Sequence, residues 1–131
     1  MKKKLLSILV ILSLVLSLMP ASAVFAFPSS TWGDAGVYDV SWYGDGSAST
    51  FTVSTPAGLA GLAHLVGSGV TFANKTVTLG AAISLSGKTW MPIGTDGNPF
   101  KGIFNGAGYA ITGMSVYGAA PYMGLFGLTD S

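Results

Sequence analysis

From Phe27 onward the charged side chains are five aspartates (Asp34, Asp39, Asp45, Asp96, Asp130) and three lysines (Lys75, Lys88, Lys101), with no arginine or glutamate. Carboxylates act on polysaccharides as a facing acid and base or in clusters that hold calcium, and lyases add a basic residue that accepts a proton. No two aspartates are adjacent here, and the lysines stand near turns without an acidic motif beside them. Asp45-Gly46 and Asp96-Gly97 are turn dipeptides, and Asp39 falls on the polar side of an alternating segment. The single histidine, His64, and the absence of cysteine leave no zinc-binding spacing. The run "DGN" at 96–98 is too short for a calcium loop. The expectation is therefore no catalytic residue, no metal and no cofactor in this segment. Aromatic side chains are the remaining chemistry, since a ring face offers apolar area to a sugar while the tip stays polar. Trp42, Trp90 and Phe104 read as core. Trp32, ahead of the first strand, and Tyr43, which points opposite Trp42, are the candidate glycan-stacking residues.

The elements that would position these rings come next. "VYDVSWY" (37–43) alternates apolar and polar residues, "GDGSAS" (44–49) turns, and "TFTVST" (50–55) alternates again. This pattern predicts a β-hairpin. "TPAGLAGLAHLV" predicts a helix near 56–66. Thr55 is placed to cap the first turn, Pro56 suits the first helical position, and Leu59, Leu62, Ala63 and Val66 form one apolar stripe. His64 lies about 140° around that helix from Leu59, off the stripe and facing solvent. Gly58 and Gly61 weaken the helix by about 1 kcal/mol each relative to alanine, so it must lie against something. From Phe72 on, short apolar pieces ("KTVTL", "AAISL", "TWMPIG", "YAITGMSV") alternate with glycine-rich breaks. "FANKTVTL" (72–79) resembles "FNGAGYAIT" (104–112), matching Phe72 with Phe104 and Val77 with Ile111 at an offset of 32 to 34 residues. Such an offset signals stacked repeats, with glycines at sharp corners and isolated apolar residues in an interior column.

The N-terminus carries an address. Met1-Lys2-Lys3-Lys4 precedes an uncharged apolar run from Leu5 to Met19 and small residues at 21–26. This is the pattern of a secretory signal peptide, shorter than the roughly 20 residues that span a bilayer. Cleavage is expected after Ala26, or alternatively after Ala23. Three of the six lysines fall in this leader, and the remainder carries three lysines against five aspartates, a net charge of −2. A nucleic-acid partner is excluded on that balance, and no membrane association is expected once the leader is removed. Without cysteine the secreted part has no disulfides.

Seven pieces in order, Trp42-Tyr43, "FTVST", "LAGLAHLV", "FANKTVTL", "WMPIG", "FKGIFNGAGYAI" and "YMGLFG", resemble secreted bacterial proteins that carry GLUG-type repeats. The resemblance covers about two thirds of the chain. It implies a right-handed parallel β-helix whose N-terminal end is capped by the helix near 56–66; together with the N-terminal hairpin, the expected fold is all-β, a short parallel β-helix. It also implies a secreted or cell-surface location. One corner departs from the family pattern: Asn105 and Tyr109 stand where an aspartate and a histidine are usual, so an ion-binding role for that corner is not carried over. The resulting division is a signal peptide at 1–26, N-terminal strands at 27–55, and the capping helix with the start of the β-helix at 56–131. Family members continue through more repeats, so the chain reads as a fragment continuous with further repeats or domains, and marginally stable by itself. The expected function is a non-catalytic scaffold or adhesion module whose partner is an extracellular polysaccharide or a surface protein. The alternative is the N-terminal part of a polysaccharide lyase or hydrolase with its active site beyond residue 131.

Overall fold

The structure is a computed structural model, and it describes residues 30–118 and 121–130. The 1–26 segment and the cleavage positions Ala23 and Ala26 lie outside the described residues.

Among the described residues, five short strands and one α-helix organise the fold: β1 (Thr50–Val53), α1 (Pro56–Gly67), β2 (Thr76–Leu79), β3 (Ile83–Ser84), β4 (Ile103–Asn105) and β5 (Ile111–Thr112). The strands form a three-stranded sheet in the order β1-β2-β4 and a two-stranded sheet of β3 and β5, all parallel. Isolated parallel bridges join Thr31 to Thr89, Thr89 to Ser115, Ile93 to Phe126, and Phe100 to Thr129.

Two expectations are corrected here. The all-β, right-handed parallel β-helix is not what the chain forms. Among the described residues the strands are two to four residues long, they make two small separate sheets, and the longest element is a 12-residue helix. Glycine directly follows β2, β4 and β5 (Gly80, Gly106, Gly113), β1 gives way to the helix cap at Thr55, and the helix supplies Leu59, Ala60, Leu62 and Val66 to the core. The N-terminal hairpin is also absent. β1 pairs with β2, not with 37–43, and Ser41–Tyr43 is a single 3₁₀ turn. The Asp39 carboxylate accepts the Ser41 N–H at 2.8 Å, and the Trp42 indole donates to the carbonyls of Asp39 and Gly58, both at 3.0 Å. Those bonds bend the segment toward the helix and take it out of strand geometry.

The register also differs from the expected repeat. Phe51 stands beside Val77, Val77 beside Phe104, and Ile83 beside Ile111, offsets of 26 to 28 residues where the sequence match suggested 32 to 34. Phe72 takes a positive φ of 59° outside any strand and packs its ring 5.9 Å from Phe100, with Phe126 5.4 Å beyond.

The helix begins as its residues dictate. Thr55 Oγ1 accepts the Gly58 N–H at 3.0 Å and proline occupies the first turn; such a cap is worth about 1 kcal/mol. Leu59, Leu62 and Val66 are fully buried, each contributing about 1.5–3 kcal/mol by leaving water. They face Val53, Val77 and Leu79 of the first sheet together with Ile83, Leu85, Trp90 and Ile93 in one apolar cluster.

Candidate functional site

A groove of about 360 Å³ runs between α1 and the segments 32–33 and 90–95. The helix wall is Ala60, Ala63, His64 and Gly67 with Ser68, and the opposite wall is Trp32, Gly33, Trp90, Met91, Pro92 and Thr95. None of these lining residues is an aspartate or a lysine. The groove is therefore apolar, with an imidazole and hydroxyls as its polar groups.

Each wall has a local cause. Asp34 grips Thr31 twice, accepting its backbone N–H and its hydroxyl, both at 2.8 Å. That closed turn holds Trp32 in place. Its backbone N–H donates to the Thr89 carbonyl at 2.9 Å, and its indole donates to the Leu85 carbonyl at 3.0 Å. The Lys88 ammonium lies 5.3 Å from the Trp32 ring centroid, a cation–π contact. Gly33 passes close to Met91; a methyl there would sit 3.1 Å from the Met91 side chain. Trp90 is buried beneath, its indole donating to the Leu125 carbonyl at 3.2 Å. At the helix rim Tyr38 stacks on His64 with centroids 3.9 Å apart and planes 15° from parallel. His64 is exposed, and its ring nitrogens make no hydrogen bond among the described residues.

The two sequence-predicted stacking residues are not brought together. Trp32 lines the groove and is half-buried. Tyr43 is half-buried elsewhere, its ring 5.1 Å from Phe51, 5.3 Å from Phe72 and edge-on to Trp42 at 6.1 Å. Trp42 and Phe104 are half-buried against the core and Trp90 is inside it. His64, Met91, Pro92 and Thr95 escaped the sequence reading as site residues. The glycine pair in the helix marks the close approach of the 39–42 segment, and no motif in the sequence marks Met91, Pro92 or Thr95.

Asp34, Asp39 and Asp45 are occupied by their own turns. Asp34, Asp39 and Asp45 are held below the ordinary carboxylate value near 3.8, because hydrogen-bond donors favour the charged form. The donors are the hydroxyl and then the backbone N–H of Thr31, Ser41 and Ser47 respectively. Asp130 pairs with Lys101 at 2.9 Å. Lys75 donates to the carbonyls of Gly46 at 2.7 Å and Ala48 at 2.8 Å, tying the 44–49 loop to the sheet. Among the described residues there is no cluster of three histidine, cysteine or acidic side chains that could hold a metal ion.

No family model matches the chain, and no solved structure matches it. Over 80 residues, 60% of the chain, it is 35% identical to a protein of Evansella cellulosilytica described as "Putative Gly-rich membrane protein". The matched stretch is 9% of that protein's length. Among the described residues no helix is long and apolar enough to cross a membrane.

Proposed function

We propose that this chain is a secreted or cell-surface module of the GLUG-repeat kind, a non-catalytic scaffold or adhesion unit that holds a glycan in the groove beside Trp32. The observation that carries this reading is the groove itself. It offers an indole anchored by its own N–H, apolar walls, an imidazole stacked on Tyr38 whose nitrogens make no hydrogen bond among the described residues, and the Thr95 hydroxyl, while Asp34, Asp39 and Asp45 are engaged in turns. Concave, mostly apolar sites with a few polar groups are how small ligands are held. An aromatic wall suits the C–H face of a sugar ring. The leader pattern at 1–26 supports export, and the description of the Evansella cellulosilytica protein as a Gly-rich membrane protein supports a place at the cell surface.

The test is to express the full chain in a secreting bacterial host, sequence the N-terminus of the form in the medium, and measure its retention on insoluble polysaccharides. The expected N-terminus is Phe27, or Val24. Trp32→Ala is expected to weaken retention by about tenfold, the equivalent of about 1.4 kcal/mol. Tyr43→Ala is expected to act first through stability, given its packing. Release of reducing ends or unsaturated sugars by the wild-type chain, or retention untouched by Trp32→Ala, would overturn the reading.

A further inference from the structure

The geometry points to Asn105 as a self-modifying residue, an asparagine that converts without an enzyme to aspartate and isoaspartate at the end of β4. Three observations converge on it. Asn105 is exposed and is followed by Gly106, whose lack of a side chain leaves its nitrogen open to a neighbouring carbonyl carbon. The Asn105 side-chain oxygen accepts the Ala107 N–H at 2.9 Å. This Asx turn holds the side-chain carbonyl to the backbone just beyond Gly106, and the hydrogen bond polarises the carbonyl toward attack. The Gly106 N–H itself makes no hydrogen bond among the described residues, so its nitrogen is not held elsewhere. Beyond it the backbone is fixed by Ala107 and Gly108, both at positive φ (51° and 81°), and by the Tyr109 N–H donating to the Gly106 carbonyl at 2.8 Å.

The chemistry balances with water as the one co-reactant. The Gly106 nitrogen attacks the side-chain carbonyl carbon of Asn105 and a C–N bond forms. The bond to the side-chain amide nitrogen breaks, and ammonia leaves carrying the proton that the Gly106 nitrogen gave up. Water then opens the five-membered succinimide at either carbonyl. One opening gives aspartate; the other moves the main chain onto the side-chain carbon and gives isoaspartate. No oxidant or reductant is involved. The other two asparagines with described neighbours differ. Asn98 precedes Pro99, which has no N–H to surrender, and Asn74 precedes Lys75, whose N–H is already bonded to the Phe72 carbonyl at 3.0 Å.

The consequence falls on an exposed strand edge. β4 pairs with β2 on one side, and Ile103 beside it is 64% exposed. Conversion adds a negative charge there, and a charged edge resists pairing with another strand. The experiment is to incubate the full chain at mildly alkaline pH, folded and urea-unfolded in parallel, and to follow each asparagine by peptide mass spectrometry. Asn105 is expected to convert in the folded chain at least as fast as in the unfolded one, while Asn74 and Asn98 stay amides. Gly106→Ala is expected to lose the conversion with the fold intact, because an added methyl would meet nothing closer than the Tyr109 carbonyl oxygen at 4.0 Å. Asn105→Gln gives a second variant with the same expected loss. An Asn105 that stays intact when folded yet converts when unfolded would overturn the proposal, as would conversion undiminished in Gly106→Ala.

Discussion

Gly61 is the point at which the fold is most sharply testable. It lies inside α1, where alanine is favoured over glycine by about 1 kcal/mol, so helix propensity alone makes Gly61→Ala stabilising. The surroundings reverse the sign. A methyl on Gly61 would collide with the Asp39 backbone carbonyl oxygen, with its carbon 2.7 Å away and the Trp42 indole nitrogen at 3.3 Å. Backbone cannot rotate aside as a side chain can. The 37–43 segment would have to lift off the helix, straining the Asp39 N–H bond to the Ala57 carbonyl (2.9 Å) and the indole bond to the Asp39 carbonyl (3.0 Å). Overpacking of this kind costs about 1–3 kcal/mol and a weakened hydrogen bond about 1 kcal/mol more. Against the propensity gain, the net loss is about 1–3 kcal/mol. For a domain of this size that lowers the melting temperature by roughly 5–20 °C. Gly67→Ala is the matched control. It sits in the same helix with nothing within 4 Å of the added methyl, so it is expected to be neutral or stabilising by up to about 1 kcal/mol. Thermal melts followed by circular dichroism, with urea titrations alongside, read both. A Gly61→Ala chain that melts at or above the wild type would refute the close approach of Asp39 to the helix.

Three further outcomes follow from the same contacts. Lys75→Met removes two charge-assisted bonds to the Gly46 and Ala48 carbonyls and is expected to lower stability in urea by about 1–3 kcal/mol, with a faster-exchanging 44–49 loop seen by hydrogen exchange. Asp34, Asp39 and Asp45 have pKa values lowered by folding; their contribution is complete above the ordinary value near 3.8 and is lost as pH falls below it through the folded values. The urea midpoint is thus expected to be flat above about pH 5 and to fall on further acidification, with a shallower fall in the Asp34→Asn variant. The wild-type chain is expected to unfold at or below about 65 °C, since Ile103, Tyr109, Tyr117 and Met123 stand in water where a larger core would cover them.

What the sequence disclosed depends on how local the deciding contacts are. The helix was legible because its signals are neighbours in the chain: Thr55, Pro56 and the stripe Leu59, Leu62, Val66 sit where they were expected. The strands at 50–53 and 76–79 were legible for the same reason, each alternating two buried residues with more exposed ones. Their pairing was not. Alternation at 37–43 and 50–55 fits a hairpin equally well, and contacts distant in the chain, the indole of Trp42 reaching Gly58 and the Asp39 N–H reaching the Ala57 carbonyl, take the first segment out of competition. The repeat was misread because Phe72 and Phe104 look equivalent in sequence. Phe72 lies on a positive-φ turn against Phe100, while Phe104 is in register with Val77.

The groove shows why site residues were harder to see than elements. Its two walls come from α1 and from segments about 30 residues to either side, and neither half carries a chemical motif. What joins them is a chain of physical requirements. A helix with glycine at 58 admits the Trp42 ring, and with glycine at 61 it admits the Asp39 backbone. That approach brings Tyr38 alongside, where its ring covers one face of His64. The stack fixes the rim of the groove opposite Trp32. Tyr38→Ala is expected to leave the helix and core in place, because Tyr38 is only half-buried, yet to loosen His64 and weaken glycan retention. Its melting temperature and its retention should then change independently. A variant that loses retention only in proportion to lost stability would mean that the rim has no part in binding.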